Sequence, residues 1–247
     1  MLDFITSFVR MNPYGLYFVL IVPAMIFSVI GQIMVKSSYN KYSKVNNSMG
    51  LTGAEVARRI LDSKGLYDVD IVPIRGNLTD NYNPKTNTVS LSEGVYGQRT
   101  VAAAGIAAHE VGHAIQHSEN YAPVKLRSAM VSVTNFGSRI SGILIMIGLV
   151  LMAFANSNSI GYYVALLGVL LFSLSAVFQL VTLPVEFNAS ARARKQAEVT
   201  LCASSEDRKG IKKVLSAAAM TYVAALFVSL MQVLYYVILI TGRRRND

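Results

Sequence analysis

The chain has 247 residues, of which 53% are hydrophobic and only 15% are charged, and its mean hydropathy is positive. This composition places the chain among membrane proteins rather than ordinary soluble domains. The formal net charge of +9 raises the question of nucleic-acid binding, but no nucleic-acid recognition motif accompanies the basic residues, and we expect no such partner. The single Cys202 excludes an intrachain disulfide.

Four apolar stretches without Asp, Glu, Lys or Arg run along the chain, at residues 14–35, 140–155, 161–183 and 217–240. Each approaches or exceeds the roughly 20 residues that cross a bilayer as a helix. The second stretch can be extended if Arg139 snorkels toward the interface. We therefore predict transmembrane helices over residues 14–36, 136–155, 161–183 and 217–240. The first apolar stretch lacks the pattern of a cleaved signal peptide, so we expect it to remain as a membrane anchor.

The distribution of basic residues predicts the orientation in the membrane. Of the 23 Lys and Arg residues, 12 lie within residues 36–139 and 7 within residues 192–213, whereas the connection at residues 156–160 has none. Because basic segments stay in the cytoplasm, we expect a multi-pass protein of the bacterial cell membrane with both long polar segments inside and both termini outside. The arginines at residues 243–245 argue for the opposite direction.

Residues 37–135 are the one polar segment long enough for a folded unit outside the membrane. Thr52 and Glu55 form a capping-box pattern ahead of an apolar stripe, and Gly65 is placed to end the helix. These signals predict a helix over residues 53–64.

The rest of this segment predicts a small sheet and a second helix. Hydrophobic and polar residues alternate in residues 67–74 and 87–92, with a stretch rich in turn formers between them, which indicates two or three short strands. A proline-free, alanine-rich stretch predicts one helix over residues 98–118. The predicted fold is therefore a mainly α-helical membrane protein with about four transmembrane helices and a small cytoplasmic α+β unit.

His109, Glu110 and His113 fit the pattern H-E-x-x-H within this predicted helix. Two histidines four residues apart lie on one helix face and can bind one zinc ion at about 2.0 to 2.1 Å. Glu110 lies beside them and can take a proton from zinc-bound water, whose pKa zinc lowers to about 7. The motif therefore indicates amide hydrolysis, and the alternative is an amphipathic helix whose histidines make ordinary hydrogen bonds.

A catalytic zinc site needs a third protein ligand. His117 follows His109 by eight residues, so their Cα atoms are about 12 Å apart along a helix, and we predict that His117 is not a ligand. A site with two histidines and one glutamate instead takes a carboxylate from another helix. Glu186 is better placed than the other acids because it follows the return of the second and third spans, although a lone glutamate there is ordinarily just solvated. The acids that follow the motif on the same predicted side are Glu119, Glu186, Glu198, Glu206 and Asp207.

Several longer stretches are distinctive in combination: "AAHEVGHAIQH", "YAPVKLR", "NFGSRI", "LPVEFNASARA" and "VLSAAAMTYVAA". Together they resemble the YugP-like family of bacterial neutral zinc metallopeptidases, which is similar to a wider set of gluzincin-type membrane proteases. The resemblance covers about residues 31–226. It implies that residues 37–135 form a zincin-like catalytic region.

The resemblance also implies the metal ligands and the cofactor. It implies one zinc ion per chain, held by His109, His113 and Glu186, with Glu110 as the catalytic base. A helix over residues 184–216 would carry the third ligand, and Pro184 suits either its first position or a kink that continues the third span.

Three amides replace residues expected from the family pattern, in which an Asp stands at position 188, a His at position 81 and an Asp at position 83. They are Asn188, Asn81 and Asn83. If Asn188 orients a ligating histidine, its oxygen still accepts a hydrogen bond but adds no negative charge, so the basicity of that ligand is expected to drop.

These features predict a membrane-embedded zinc endopeptidase that hydrolyses membrane-proximal or cytoplasmic segments of proteins. Strand residues 88–92 are a candidate edge for an extended substrate. No histidine remains to stabilise an oxyanion, and the candidates are Tyr222, Arg192 and Tyr82.

Two other classes of function compete with this one. A noncatalytic, zinc-stabilised membrane scaffold that binds protein partners would use the same ligands. A metal-ion transporter predicts ionisable residues inside the spans, and the apolar stretches have none. The sequence is also compatible with binding to an accessory membrane protein or with assembly into a homo-oligomer.

Overall fold

The computed structural model describes residues 13–154 and 158–244. Arg10, Arg245 and part of the predicted connection at residues 156–160 lie outside the described residues. The chain divides into two compact units. The sheet unit comprises Gly31–Lys125 and Leu183–Thr221, and the helical unit comprises the described residues of Met1–Ile30, Leu126–Thr182 and Tyr222–Asp247.

Within the described residues the chain is mainly helical, with seven helices and one three-stranded sheet. Helices α1, α5, α6 and α7 are long and apolar enough to cross a membrane. They expose large apolar side chains, including Phe18 and Phe136, as helices that face lipid do. The prediction of four long apolar helices and a small sheet is therefore confirmed. The helices are α1 Pro13–Tyr42, α2 Gly53–Ser63, α3 Glu93–Tyr96, α4 Val101–Ser118, α5 Ala122–Phe154, α6 Asn158–Val199 and α7 Ser205–Arg244.

The long helices extend beyond the apolar stretches that reveal them in the sequence. Helix α6 continues through Pro184, so Glu186 lies on the same helix as the third apolar stretch and does not begin a separate helix. The single helix predicted over residues 184–216 is instead the end of α6, a break, and the beginning of α7. Hydropathy detects only the apolar part of a helix, whereas backbone hydrogen bonding continues into polar sequence.

The sheet has the strand order β1-β3-β2, with β1 at Asp70–Ile74, β2 at Asn81–Asn83 and β3 at Thr88–Ser92. Strand β3 pairs in parallel with β1 and antiparallel with β2. Strand β3 is therefore paired on both sides over Thr88–Ser90, which contradicts the candidate substrate edge there and makes β3 an ordinary strand within the sheet. Strand β2 lies within the stretch rich in turn formers and is the third of the two or three predicted strands.

Helix α2 of the sheet unit is capped as its sequence predicts. The Thr52 side chain accepts from the Glu55 backbone N–H at 3.2 Å, and the Glu55 carboxylate accepts from the Thr52 N–H at 2.7 Å. Gly65 follows the helix with φ +70°, a conformation that glycine adopts readily. Local side-chain chemistry therefore sets both ends of α2.

Helix α4 lies in the core of the sheet unit. It begins at Val101 rather than 98, because Thr100 caps it by accepting from the Ala103 N–H at 3.2 Å. Its alanines pack against α2, β3 and parts of α6 and α7, and these small side chains let the neighbouring elements approach closely.

Helices α4 and α6 touch backbone to backbone at one point. A Cβ added at Gly112 would lie 2.7 Å from the Ala189 carbonyl oxygen, closer than real Cβ atoms come to other atoms. The absence of a side chain at Gly112 is therefore what allows the two helices to meet.

We predict that Gly112→Ala destabilises the protein by about 1 to 3 kcal/mol, because the added methyl group must push α4 away from α6. The midpoint of thermal unfolding of the purified protein in detergent measures the loss. The matched control is Gly105→Ala on the same helix, where a Cβ would make an ordinary contact with Ile211, 3.4 Å away. Equal midpoints for the two variants would contradict the close helix contact.

Candidate metal centre

Three side chains from α4 and α6 converge on one point in the sheet unit. The Glu186 Oε2 atom lies 3.3 Å from the His109 Nε2 atom and 3.5 Å from the His113 Nε2 atom. One ligand atom from each of the three residues lies within 4.8 Å of the others. This group could hold a metal ion, and it brings together the three residues that the family resemblance implies as ligands.

Two of the three separations between these donor atoms fit a tetrahedral zinc ion. Two ligand atoms bound at 2.0 to 2.1 Å in tetrahedral geometry are about 3.3 to 3.4 Å apart. The distances from Glu186 Oε2 to the two Nε2 atoms, 3.3 and 3.5 Å, match that tetrahedral edge. Two imidazole nitrogens and one carboxylate also form a donor set that catalytic zinc sites use.

The contacts of Gln116 favour one tautomer of the His113 ring. Its amide nitrogen donates to the Val185 carbonyl at 2.8 Å and to Asn188 Oδ1 at 3.0 Å, so its oxygen faces His113 Nδ1 at 3.0 Å. An oxygen in that position accepts the Nδ1 proton of a neutral imidazole. The lone pair of the ring is then on Nε2, directed at Glu186.

Ser190 has the corresponding position beside His109. Its hydroxyl lies 3.2 Å from His109 Nδ1, and it follows Glu186 by one helical turn on α6. Helix α6 therefore supplies both the carboxylate in front of the two rings and the hydrogen-bond partner behind one of them. Outer contacts of this kind orient metal-binding imidazoles.

The sequence interpretation did not identify Gln116 or Ser190 as part of the site. It considered Asn188 as the partner of a histidine, but the Asn188 oxygen accepts from Gln116 and from Arg192 Nε, the latter at 2.7 Å. A local signal was available, since Gln116 follows His113 by three residues and Ser190 follows Glu186 by four, and both spacings place side chains on one helix face.

The other candidate acids have different partners. Glu119 pairs with Arg192 at 2.6 Å, and Glu206 pairs with Lys209 at 2.9 Å. Glu198 pairs with Arg208, and the Asp207 carboxylate accepts from the backbone and side chain of Ser48. Among these acids, only Glu186 meets the motif histidines.

Glu110 is buried beside this group, with 8% of its surface exposed. Burial raises the pKa of its carboxyl above the usual range; the two motif histidines oppose the rise, and the carboxylates of Asp80 and Glu186 add to it. A carboxylate with a raised pKa is a better proton acceptor, as a general base requires.

His117 is exposed on α4, and its ring centroid lies 6.1 Å from that of Tyr82. It does not belong to the group of possible metal ligands found among the described residues.

The three candidates for stabilising an oxyanion have other contacts or positions. The Tyr82 hydroxyl donates to Asn87 Oδ1 at 2.9 Å, and Tyr222 belongs to the helical unit. Arg192 forms an ion pair with Glu119.

The amides of β2 make local hydrogen bonds. Asn81 donates to the Thr79 carbonyl at 3.0 Å, and Asn83 accepts from the Lys85 N–H at 3.0 Å. These contacts stabilise the two ends of a short strand and involve neither motif histidine.

Comparison with known proteins agrees with the donor set. Residues 17–241 match the family described as "Putative neutral zinc metallopeptidase". The chain is 47% identical over 232 residues, which is 94% of this chain and 100% of the relative, to the "Putative membrane protease YugP" of Bacillus subtilis strain 168. No solved structure matches the chain. The chain therefore belongs to the family of that description, as the resemblance of its motifs predicts.

Proposed function

We propose that this protein is a membrane-embedded, zinc-dependent endopeptidase that hydrolyses peptide bonds in membrane-proximal or cytoplasmic segments of proteins. The observation that carries the proposal is the convergence of His109, His113 and Glu186 within 4.8 Å beside the buried carboxylate of Glu110. Four helices long and apolar enough to cross a membrane support the multi-pass insertion.

In this proposal the Nε2 atoms of the two histidines and the Glu186 carboxylate hold one zinc ion per chain. A zinc ion held by these residues would supply Lewis-acid chemistry, which makes water more acidic and polarises a carbonyl. Glu110 takes the proton from the attacking water and passes it to the departing amine. Gln116 and Ser190 are positioning residues, because they keep the two rings turned toward Glu186.

A noncatalytic scaffold stabilised by zinc is the second candidate. The same three donors would serve it, since a structural ion also needs ligands of this kind. The scaffold has no use for Glu110 as a base, so this residue separates the two functions.

We predict that Glu110→Gln retains zinc and slows hydrolysis of casein by about 10²-fold to 10⁴-fold, because the amide cannot accept the proton. Cleavage rate and bound zinc are measured on the same purified samples. Gln has nearly the size of Glu, so the variant should keep the fold. Unchanged cleavage would remove the base from the mechanism, and a wild-type protein that binds zinc without cleaving any substrate would favour the scaffold.

The third ligand is tested by comparing Glu186→Ala with His117→Asn. We predict that the first variant loses most of its zinc and all activity, whereas the second retains both, because the exposed His117 lies outside the group of converging donors. Metal analysis of both proteins decides the point. Zinc retained by Glu186→Ala and lost by His117→Asn would show that the ligand set is wrong.

We further propose that the sheet unit faces the cytoplasm, since both basic segments, at residues 36–139 and 192–213, flank the apolar helices on one side. In a Cys202→Ser background, Asn158→Cys should react with a membrane-impermeant maleimide on intact cells. Lys85→Cys should react only after the membrane is permeabilised. The opposite labelling pattern would place the metal centre outside the cell.

A further inference from the structure

A second site lies in the sheet unit, formed by the C-terminal part of α1, the stretch of α6 after Glu186, and the N-terminal half of α7. It is a cavity of about 890 Å³ that is open to the surface. Five basic side chains line it, and the described residues around it include no Asp or Glu. The basic residues are Lys41, Arg194, Lys209, Lys212 and Lys213.

The charge of this cavity is largely uncompensated. Lys209 pairs with Glu206 at 2.9 Å. The other four basic side chains have no carboxylate within ion-pair distance in the part of the chain that the structure describes. Like charges gathered around one concave surface repel one another and create a positive potential, which an anion relieves.

A hydroxyl side chain also belongs to the cavity lining. Ser38 lines the cavity, and its Oγ atom is buried and has no hydrogen-bond partner among the described residues. Buried hydroxyls are nearly always hydrogen-bonded, because an unsatisfied one costs free energy. If the Ser38 side chain turns toward the cavity, an anion bound among the basic side chains supplies the acceptor oxygen that its hydroxyl lacks.

Part of the cavity wall is apolar. Ile33, Met34, Phe187 and Met220 line it, and the first three expose 60%, 44% and 46% of their surface. Each of the three helices that form the cavity also contains one of the stretches apolar enough to cross a membrane. A soluble phosphate compound would gain nothing from such a wall, whereas a hydrocarbon chain would bury it.

We propose that this cavity binds one anionic phospholipid. The phosphodiester lies among the basic side chains and accepts a hydrogen bond from Ser38, and an acyl chain covers the apolar wall. Basic pockets between membrane helices recognise anionic headgroups in this way. The site goes beyond the proposed peptidase function, since none of its lining residues is a ligand or the base.

The test uses the purified full-length protein in mild detergent, with phosphatidylglycerol and phosphatidylcholine as probes and native mass spectrometry as the readout. The variant is Lys212→Gln combined with Lys213→Gln. The control is Lys64→Gln combined with Lys85→Gln, which removes the same charge from two exposed positions elsewhere in the sheet unit. Ser190 also lines the cavity but contacts His109, so it is left unchanged.

We expect the wild type and the control pair to bind phosphatidylglycerol in preference to phosphatidylcholine. The cavity variant should bind phosphatidylglycerol about 10-fold to 30-fold more weakly, as expected for two lost contacts between lysine and an anionic headgroup. Its thermal midpoint and zinc content should equal those of the wild type, so the result does not depend on peptidase activity.

Three outcomes would overturn the lipid site. Equal binding of the two lipids by the wild type would show no recognition of charge. Equal weakening in the control pair would show only a general electrostatic effect. Displacement of phosphatidylglycerol by an equal concentration of inorganic phosphate would assign the cavity to a free phosphate instead.

Discussion

The metal centre depends on the backbone contact between α4 and α6 at Gly112 and Ala189. Glu186 precedes Ala189 by less than one turn, and His109 and His113 lie on either side of Gly112. The close approach of the two backbones at Gly112 helps to bring the Glu186 carboxylate to 3.3 and 3.5 Å from the two imidazole nitrogens. Any larger side chain at the contact would widen the distances that match a zinc ion.

The same two helices also hold the rings in place. Gln116 on α4 binds His113 and two groups of α6, and Ser190 on α6 binds His109 on α4. The ligands and their hydrogen-bond partners are therefore parts of one helix pair. A displacement of either helix would disturb both sets of contacts together, so packing and metal geometry are coupled.

Electrostatics at the centre favours a cation. Glu110 and Glu186 are 8% and 3% exposed, and the carboxylate of Asp80 is close enough to contribute to the raised pKa of Glu110. Buried carboxylates are costly unless a positive charge or hydrogen bonds compensate them. Asp80 has hydrogen bonds from the Ser92 backbone and side chain, whereas Glu186 faces two imidazole nitrogens. The basic residues of α6 and α7 instead line the cavity of the sheet unit.

Features encoded over short distances were predictable from the sequence alone. The four apolar helices, the capped helix α2, the helix that carries the motif and the presence of a small sheet all follow from hydropathy, periodicity and capping residues within about 20 positions. Glu186 was favoured by its position after the third span, and the family resemblance singled it out.

The tertiary structure decided what depends on packing between distant segments. It placed β3 in the centre of the sheet, continued α6 through Pro184, and joined Gln116 to Asn188 across 72 residues and Ser190 to His109 across 81. No local pattern encodes these choices, because each depends on which surfaces fit together once the whole chain has folded.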